Sequence, residues 1–220
     1  MKLPPAVVST PPPRSATTPP AFTWDYAGRM VMLVAGLFAF ALGIVCNYKA
    51  AIGLGPWDCL HLGLSLRLPI TPGQASEATG ALIILCSWAF GVRPGVGTIC
   101  NMLLIGPFFD VLNNGLPSMA AAAWPWRIAL QLLGIAIVGF GSGLYIRANL
   151  GAGPRDSLML ALTRRTGQRV AVVRGAVEVS VLGLGFLLGG PVGLGTLIYL
   201  VAIGPAVEAG FRLFRIPARH

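Results

Sequence analysis

The chain lacks most of the residues on which soluble enzymes depend. Only 10% of its 220 residues are charged, and it contains seven acidic residues, two histidines and four cysteines. Because a soluble domain carries about 25% charged residues, the composition excludes a soluble globular protein. The cysteines show no C-x-x-C spacing, which predicts free thiols in apolar segments and neither a disulfide nor a metal site.

Recognisable catalytic arrangements are missing as well. His61 is the only histidine in an apolar region, and no second histidine, serine or cysteine forms a known arrangement with it. A metal centre or a catalytic triad needs several such side chains. We therefore predict no catalytic residue, no metal and no cofactor, and we expect that the protein is not an enzyme.

What the chain does contain is long apolar runs. Hydrophobic residues make up 55% of it, and the mean hydropathy is +0.75. A membrane helix needs roughly 17–25 apolar residues, and the runs lack the alternation of a barrel strand. The sequence thus predicts an all-α integral membrane protein in contact with the lipid bilayer. Full-length helices are expected at about 28–48, 74–91, 96–114, 125–147, 170–188 and 194–213, with short helices at 56–68 and 154–165.

The net charge of +9 comes from lysines and arginines that lie mostly in connections or at helix ends. This distribution is typical of membrane topology, and no basic face with interleaved aromatics indicates nucleic-acid binding. We predict a disordered Pro-rich cytoplasmic tail over 1–27, a single membrane domain over 28–213 and a short basic cytoplasmic tail over 214–220. The predicted location is the cell membrane, with both termini in the cytoplasm.

The chain repeats itself at an offset of 98 residues. The segment GLGPWD at 53–58 recurs as GAGPRD at 151–156, and two later blocks keep the same register. We predict two tandem repeats, at about 28–114 and 125–213. Each consists of a long membrane helix, a short half-helix and two further membrane helices. Duplicated transporters often hold their substrate site between the repeats.

The short helices leave the topology open. At about a dozen residues each they rise roughly 20 Å, against about 30 Å of hydrocarbon. If they stop short, each repeat crosses three times and the repeats are inverted; if they cross, each repeat has four crossings and the repeats are parallel. The counts of Lys and Arg, 13 inside against 3 outside or 12 against 4, do not separate these alternatives. Helix length favours three crossings.

Six of the seven acids form repeat-related pairs, and these are the candidate pathway residues because an acid within a membrane normally faces a cavity or a partner. The first pair, Asp58 and Asp156, follows the predicted hinges Gly55–Pro56 and Gly153–Pro154. Glycine permits the turn, and proline is favourable at the first position of a helix. Each aspartate caps its half-helix or lines a central site, and the two roles are compatible.

The second pair, Asp110 and Glu208, follows the predicted hinges Gly106–Pro107 and Gly204–Pro205 inside long helices. Proline removes a helical hydrogen bond, and the freed carbonyl group should face protein or water rather than lipid. Each kink is therefore a candidate cation or proton site. The alternative is a kink with an interfacial acid near the helix end.

The third pair is Glu77 and Glu178, which lie 101 residues apart. Arg174 stands one turn before Glu178, which predicts an ion pair, whereas Gly73 stands at the matching offset from Glu77. We count these three charged residues among the candidate pathway residues. The alternative is a purely structural ion pair.

These features resemble the YczE/YitT family of bacterial multi-pass membrane proteins, and the YczE branch more closely. The matching stretches are GLGPWDCLHLGLS, GVGTICNMLLIGPFFD, LGAGPRDSLMLALTRRTG, VVRGAVEVSVLGLGFLLGG and VGLGTLIYLVAIGP, within about residues 30–213. The resemblance implies a bacterial cytoplasmic membrane location and links to transport or to the regulation of secondary metabolism, without a substrate or catalytic residues. The YitT branch has an extra soluble C-terminal domain without a counterpart here, so we expect no regulation through one.

Two functions fit the sequence. The first is a small secondary transporter or permease whose polar site between the repeats takes an unknown small molecule or ion. The alternative is a membrane-embedded accessory or regulatory protein, for example one supporting secondary metabolism, which transports nothing. Such a protein would dock a partner through the basic residues Arg164, Arg165 and Arg169. A homo-oligomer and a protein partner are both compatible with the sequence.

Overall fold

The computed structural model describes residues 24–216, and all regular structure within them is α-helical. The predicted helices are all present, and the ends of most lie within two residues of the expected ones. In chain order they are α1 (Trp24–Ala50), α2 (Pro56–Arg67), α3 (Pro72–Ala89), α4 (Val96–Gly115), α5 (Trp124–Arg147), α6 (Pro154–Thr166), α7 (Val170–Leu187) and α8 (Leu194–Leu213).

The largest difference from the prediction is at the start of α1. The helix begins at Trp24, so residues 24–27, which we assigned to the disordered tail, are helical. Asp25 lies in the first turn, where a negative charge stabilises the free N–H groups of a helix. The rest of the predicted N-terminal tail, 1–23, lies outside the described residues, as do residues 217–220.

Five of the described helices, α1, α4, α5, α7 and α8, are long and apolar enough to cross a membrane by length and composition. The protein is therefore a multi-pass membrane protein. Helix α3 is not among these five, although its 18 residues equal the length of α7. Polar side chains occupy its first half, at Gln74, Ser76, Glu77 and Thr79. The crossing by α3 stays a prediction.

Helices α1 and α5 pack against each other in opposite directions at the centre of the structure. Gly36 of α1 faces Tyr145 near the end of α5, whereas Gly43, farther along α1, faces Gly134 in the first half of α5. A Cβ atom at Gly43 would lie 2.6 Å from the Gly134 carbonyl oxygen, so the close approach of the two backbones requires glycine.

Helices α5 and α8 run in the same direction. Gly139 faces Ala206 and, one turn on, Gly143 faces Gly210, so these small residues form a packing face between the two helices. Two parallel membrane helices in one chain are separated by an odd number of crossings. Helix α7 with 18 residues provides one, and α6 with 13 residues is too short for another. The second half of the chain thus matches the three-crossing alternative.

The short helices α2 and α6 lie inside the bundle. Helix α2 packs on α7, where Gly63 meets the carbonyl oxygen of Gly185, and α6 packs on α3. The first half of α2, from Pro56 to His61, is buried throughout. This packing places the N-terminal ends of both short helices in the middle of the molecule.

Candidate functional site

Two sharp corners direct the chain toward the centre of the protein. After α1 the chain turns at Ala51 and Gly53, with φ angles of 54° and 121°, and after α5 it turns at Asn149 and Gly151, with 53° and 135°. Glycine is needed at the second position of each corner because an L side chain is strained there. A Cβ atom at Gly53 would also lie 2.7 Å from the Gly193 nitrogen.

An arginine holds each corner in place. Arg127 donates to the carbonyl oxygens of residues 50–51, at 2.9 Å for Ala50. Arg29 donates to those of residues 148–149, at 2.7 and 2.6 Å. Hydrogen bonds from a charged donor are stronger than neutral ones, so these contacts fix the directions in which α2 and α6 start.

A cavity of about 890 Å³ lies where the N-termini of α2 and α6 meet. It extends between α7 and α8 and reaches their membrane face near Phe211 and Ile216, beside Arg147 at the end of α5. Its volume is in the range of small-molecule sites, about 300–1,000 Å³. We call the end of the helix bundle at which Arg147 and Ile216 lie the open face. The charged lining residues are Asp58, Arg147, Arg155, Asp156, Arg174 and Glu178.

Five of these charges alternate in sign across the cavity. Arg155 interacts electrostatically with both Asp58 and Asp156, and Arg174 interacts with Asp156. Arg174 also donates to Glu178 at 3.0 Å, so the predicted ion pair is confirmed. The series has one more acid than it has arginines.

Asp58 and Asp156 have different surroundings. Asp58 is only 7% exposed, and no residue in the described part of the chain donates a hydrogen bond to its carboxylate. Asp156 is exposed to the cavity and interacts electrostatically with both Arg174 and Arg155. Both aspartates line the cavity, and no side chain makes a hydrogen bond at the N-cap of either α2 or α6.

Arg155 is a site residue that the sequence analysis missed. Its guanidinium carbon lies 4.8 Å from the centre of the Trp57 ring, a distance typical of a cation–π contact. Residues 57 and 155 occupy the same position in the segments GPWD and GPRD. The contact between Arg155 and Trp57 could be predicted only from the assumption that the two segments face each other.

Two tyrosines in the cavity wall were missed too. A Cβ atom at Gly55 would lie 2.7 Å from the Tyr199 ring, and one at Gly153 would lie 3.3 Å from the Tyr145 hydroxyl. The hinge glycines therefore leave room for these aromatic side chains, which line the cavity. No sequence signal marked them, because single tyrosines in apolar helices belong to no motif.

Asp110 lies outside the cavity and joins two helices at the opposite membrane face. The Thr71 hydroxyl donates to its carboxylate at 2.5 Å, and the Gly73 N–H donates at 3.1 Å. Both donors belong to the start of α3, where an acid satisfies free N–H groups and stabilises the helix. We call Thr71, Gly73 and Asp110 the latch, and the membrane face on which it lies the closed face.

A small second cavity of about 20 Å³ lies between the latch and the large cavity. Pro72 and Phe109, which are neighbours of the latch residues in sequence, line it on one side. Asp58 and His61 line it on the other side, and both also line the large cavity. Ser76 and Ile105 also line both cavities, so these four residues lie between the large cavity and the latch.

The remaining predicted residues lie apart from the cavity. Glu208 is exposed and pairs with Arg212 of its own helix at 2.7 Å. A Cβ atom at Gly204, in the second Gly-Pro hinge, would have no neighbour within 4 Å, whereas one at Gly106, in the first, would meet Glu77 and Gly73. Within residues 24–216 no three His, Cys, Asp or Glu side chains are close enough to hold a metal ion.

Comparisons with known proteins identify relatives and supply no activity. The family of unknown function DUF6198 matches residues 27–211. The uncharacterized membrane protein YczE of Bacillus subtilis is 38% identical over 178 residues, covering 80% of this chain and 82% of the relative. An uncharacterized protein of Haemophilus influenzae is 37% identical over 175 residues, covering 78% and 79%. YyaS of Bacillus subtilis is 22% identical over 168 residues, covering 74% and 82%. No solved structure matches the chain.

Proposed function

We propose that this chain, which belongs to the DUF6198 family of unknown function, is a small secondary transporter of the bacterial cell membrane. The observation that carries the proposal is the cavity of about 890 Å³, lined by alternating acids and arginines, inside a bundle of membrane helices. Charged side chains inside a membrane protein are costly and usually mark the path of a substrate or ion. The proposal involves no catalytic step.

The two ends of the helix bundle differ, as is expected of a transporter in one of its states. The large cavity reaches the open face at Ile216, and the latch ties α3 to α4 at the closed face. We assign the open face to the cytoplasm, because Arg147, Arg212 and Arg215 lie at the corresponding helix ends. Both chain termini then lie in the cytoplasm.

Reciprocal contacts between the halves support the predicted inverted repeat. The Gly97 N–H donates to the Leu150 carbonyl oxygen at 2.8 Å, and the Gly195 N–H donates to the Ile52 carbonyl oxygen at 2.7 Å. Residues 97 and 195, like 52 and 150, are 98 positions apart. Exchange of partners is expected of two units related by a two-fold axis. In the second transport state, the halves exchange roles, so that the latch opens and α7 closes on α8.

Alternating access can be tested without knowing the substrate. We would replace the four native cysteines with serine, introduce Asn101→Cys in the cavity wall, and add a membrane-impermeant methanethiosulfonate reagent to either face of oriented vesicles. The introduced thiol should react quickly from the open face and slowly from the closed face. Asp110→Asn should raise the closed-face rate about tenfold, because it weakens the latch by about 1.4 kcal/mol.

The matched control is Glu208→Gln, which removes the corresponding acid of the second half and should leave the closed-face rate unchanged. Reaction from the open face alone, in the reference protein and in both variants, would contradict the transporter. That result would favour the accessory protein, whose exposed Arg164 and Arg169 are free to meet a partner at the membrane surface.

A further inference from the structure

We infer that the Asp58 carboxylate binds one monovalent cation, either a proton or an alkali metal ion, at the inner end of the large cavity. The inference deepens the proposed function, because such a cation would be the coupling ion of the transporter. The binding itself depends only on the local geometry. It is therefore testable on protein that is not transporting anything.

The first argument is that Asp58 is buried without a hydrogen-bond donor. Its side chain is only 7% exposed, and it lines both cavities. An ionised carboxylate in such a position is strongly destabilising unless a partner neutralises it. The other five pathway acids are placed differently, because each is more exposed than Asp58 or has a partner within the described residues.

Four of those five acids have polar or charged partners, and the fifth is half-buried. Asp110 accepts two hydrogen bonds in the latch, and Glu178 and Glu208 each pair with an arginine one turn away. Asp156 interacts with Arg174 as well as with Arg155. Glu77 is half-buried beside Gly106. Asp58 is left with a share of Arg155 alone.

The second argument is the charge balance near Asp58. The series Asp58, Arg155, Asp156, Arg174 and Glu178 carries one excess negative charge, and the third arginine of the lining, Arg147, lies at the open face, away from Asp58. Arg155 is shared between two aspartates and lies over the Trp57 ring, so it does not fully neutralise Asp58. One added positive charge balances the series, and the place without a hydrogen bond is Asp58.

The third argument is the space beside the carboxylate. The small cavity of about 20 Å³ is large enough for roughly one water molecule or one small ion. It lies between Asp58 and the latch, so a cation there would enter from the open face and leave through the closed face after the latch opens. The large cavity keeps room for a separate substrate.

Other titratable groups surround the site and must be separated from it in any titration. His61 and Cys59 lie on the same helix, and Tyr48 faces the small cavity from α1. Arg155 approaches from α6, and Tyr199 from α8. On α7 the charged residues are Arg174 and Glu178, whereas α3 and α4 line the small cavity with uncharged residues, namely Pro72, Ser76, Ile105 and Phe109. A variant of Asp58 alone isolates its share of the response.

The experiment measures the Tm of the purified protein in detergent. In one series NaCl replaces choline chloride at constant ionic strength and pH 8; in the other the pH is lowered from about 8 to 5 without sodium. A saturable rise in Tm with sodium identifies an alkali cation, and a rise only with falling pH identifies a proton. In either case, Asp58→Asn should raise the cation concentration needed for half of the rise in Tm by at least about tenfold.

The control is Glu208→Gln, an exposed acid that lies outside both cavities and pairs with Arg212, and it should keep the response of the wild type. Because an amide side chain cannot be charged, the Asp58→Asn protein should be at least as stable as the wild type when cations are scarce. The inference fails if the wild type responds to neither series or if Asp58→Asn responds like the wild type. Cation binding without alternating access would leave it standing and would instead refute the proposed transport.

Discussion

The contact between α3 and α4 is closed, whereas the corresponding helices α7 and α8 are apart. On the first side Gly80 meets Met102, and Gly106 meets the backbone of Gly73. On the second side, a Cβ atom at Gly183 or Gly204 would have no neighbour within 4 Å. Residues of both α7 and α8, such as Arg174 and Tyr199, line the large cavity. Two segments with similar Gly-Pro sequences thus adopt different packing in one molecule.

The difference comes from the residues at the start of α3 and α7. Gly73 allows the α4 backbone so close that a Cβ atom there would collide with Asp110 and with the Gly106 carbonyl group. The matching position in α7 is Arg174, which is too large for such an approach and pairs with Glu178 instead. Helices α3 and α4 therefore pack tightly through backbone contacts, whereas the charged Arg174 side chain lies where α7 faces α8.

The largest expected effect concerns the two Gly-Pro hinges. Gly106→Leu would place a side chain against the Gly73 carbonyl oxygen and the Glu77 side chain, 2.6 and 2.8 Å from the first added carbon. Overpacking of this kind costs about 3 kcal/mol at the upper end of the usual range. We expect that loss in the free energy of unfolding, measured by denaturation in mixed micelles.

The matched variant is Gly204→Leu, which enters open space and should change the free energy of unfolding by less than about 0.5 kcal/mol. Equal losses in the two variants would mean that α7 and α8 are packed together in the stable form of the protein. The two helix pairs, α3–α4 and α7–α8, would then not differ in packing.

Local features of this fold were predictable from the sequence. Proline at the first turn and glycine before it fixed the starts of α2 and α6 at Pro56 and Pro154. The ion pair between Arg174 and Glu178 followed from their spacing of one helical turn. In each case the interacting groups are close in sequence, so tertiary packing had little influence on the outcome.

Contacts between distant segments were not predictable in the same way. The hydroxyl of Thr71 reaches Asp110 across 39 residues of sequence, and nothing in the local pattern distinguishes Asp110 from Glu208. The contact of Arg155 with Trp57 requires both corners to face each other. Sequence alone located the acids near hinges, but their partners depend on which helices pack closely.

The second prediction concerns a feature in which the two halves agree. Arg29→Ala and Arg127→Ala each remove a charged donor from two corner carbonyl groups, so each should cost about 2 kcal/mol in the free energy of unfolding. Arg29→Lys and Arg127→Lys should restore only part of it, since lysine lacks the planar fork that reaches two acceptors. If the losses in the free energy of unfolding for Arg29→Ala and Arg127→Ala differ by more than about 1 kcal/mol, the two corners are not equivalent.

The smallest expected effect is on the acids that follow the hinges. Asp110→Asn keeps the shape of the side chain but loses the charge that accepts from the Thr71 hydroxyl and the Gly73 N–H, so it should cost about 1.5 kcal/mol of unfolding free energy. Glu208→Gln should cost less than about 0.5 kcal/mol, because its pair with Arg212 is exposed and confined to one helix.

Thr71→Val removes the hydroxyl that donates to Asp110 and that also accepts from the Gln74 N–H as the N-cap of α3. The loss of the cap should cost about 1 kcal/mol both in the wild type and in the Asp110→Asn background. The loss of the latch contact should cost a further amount of about 1 kcal/mol only when Asp110 is present, because Thr71 and Asp110 act through one contact. Full additivity of the two substitutions would show that Asp110 stabilises the closed face without Thr71. The closure of α3 on α4 would then rest on the Gly73 backbone contact and the close glycine packing alone.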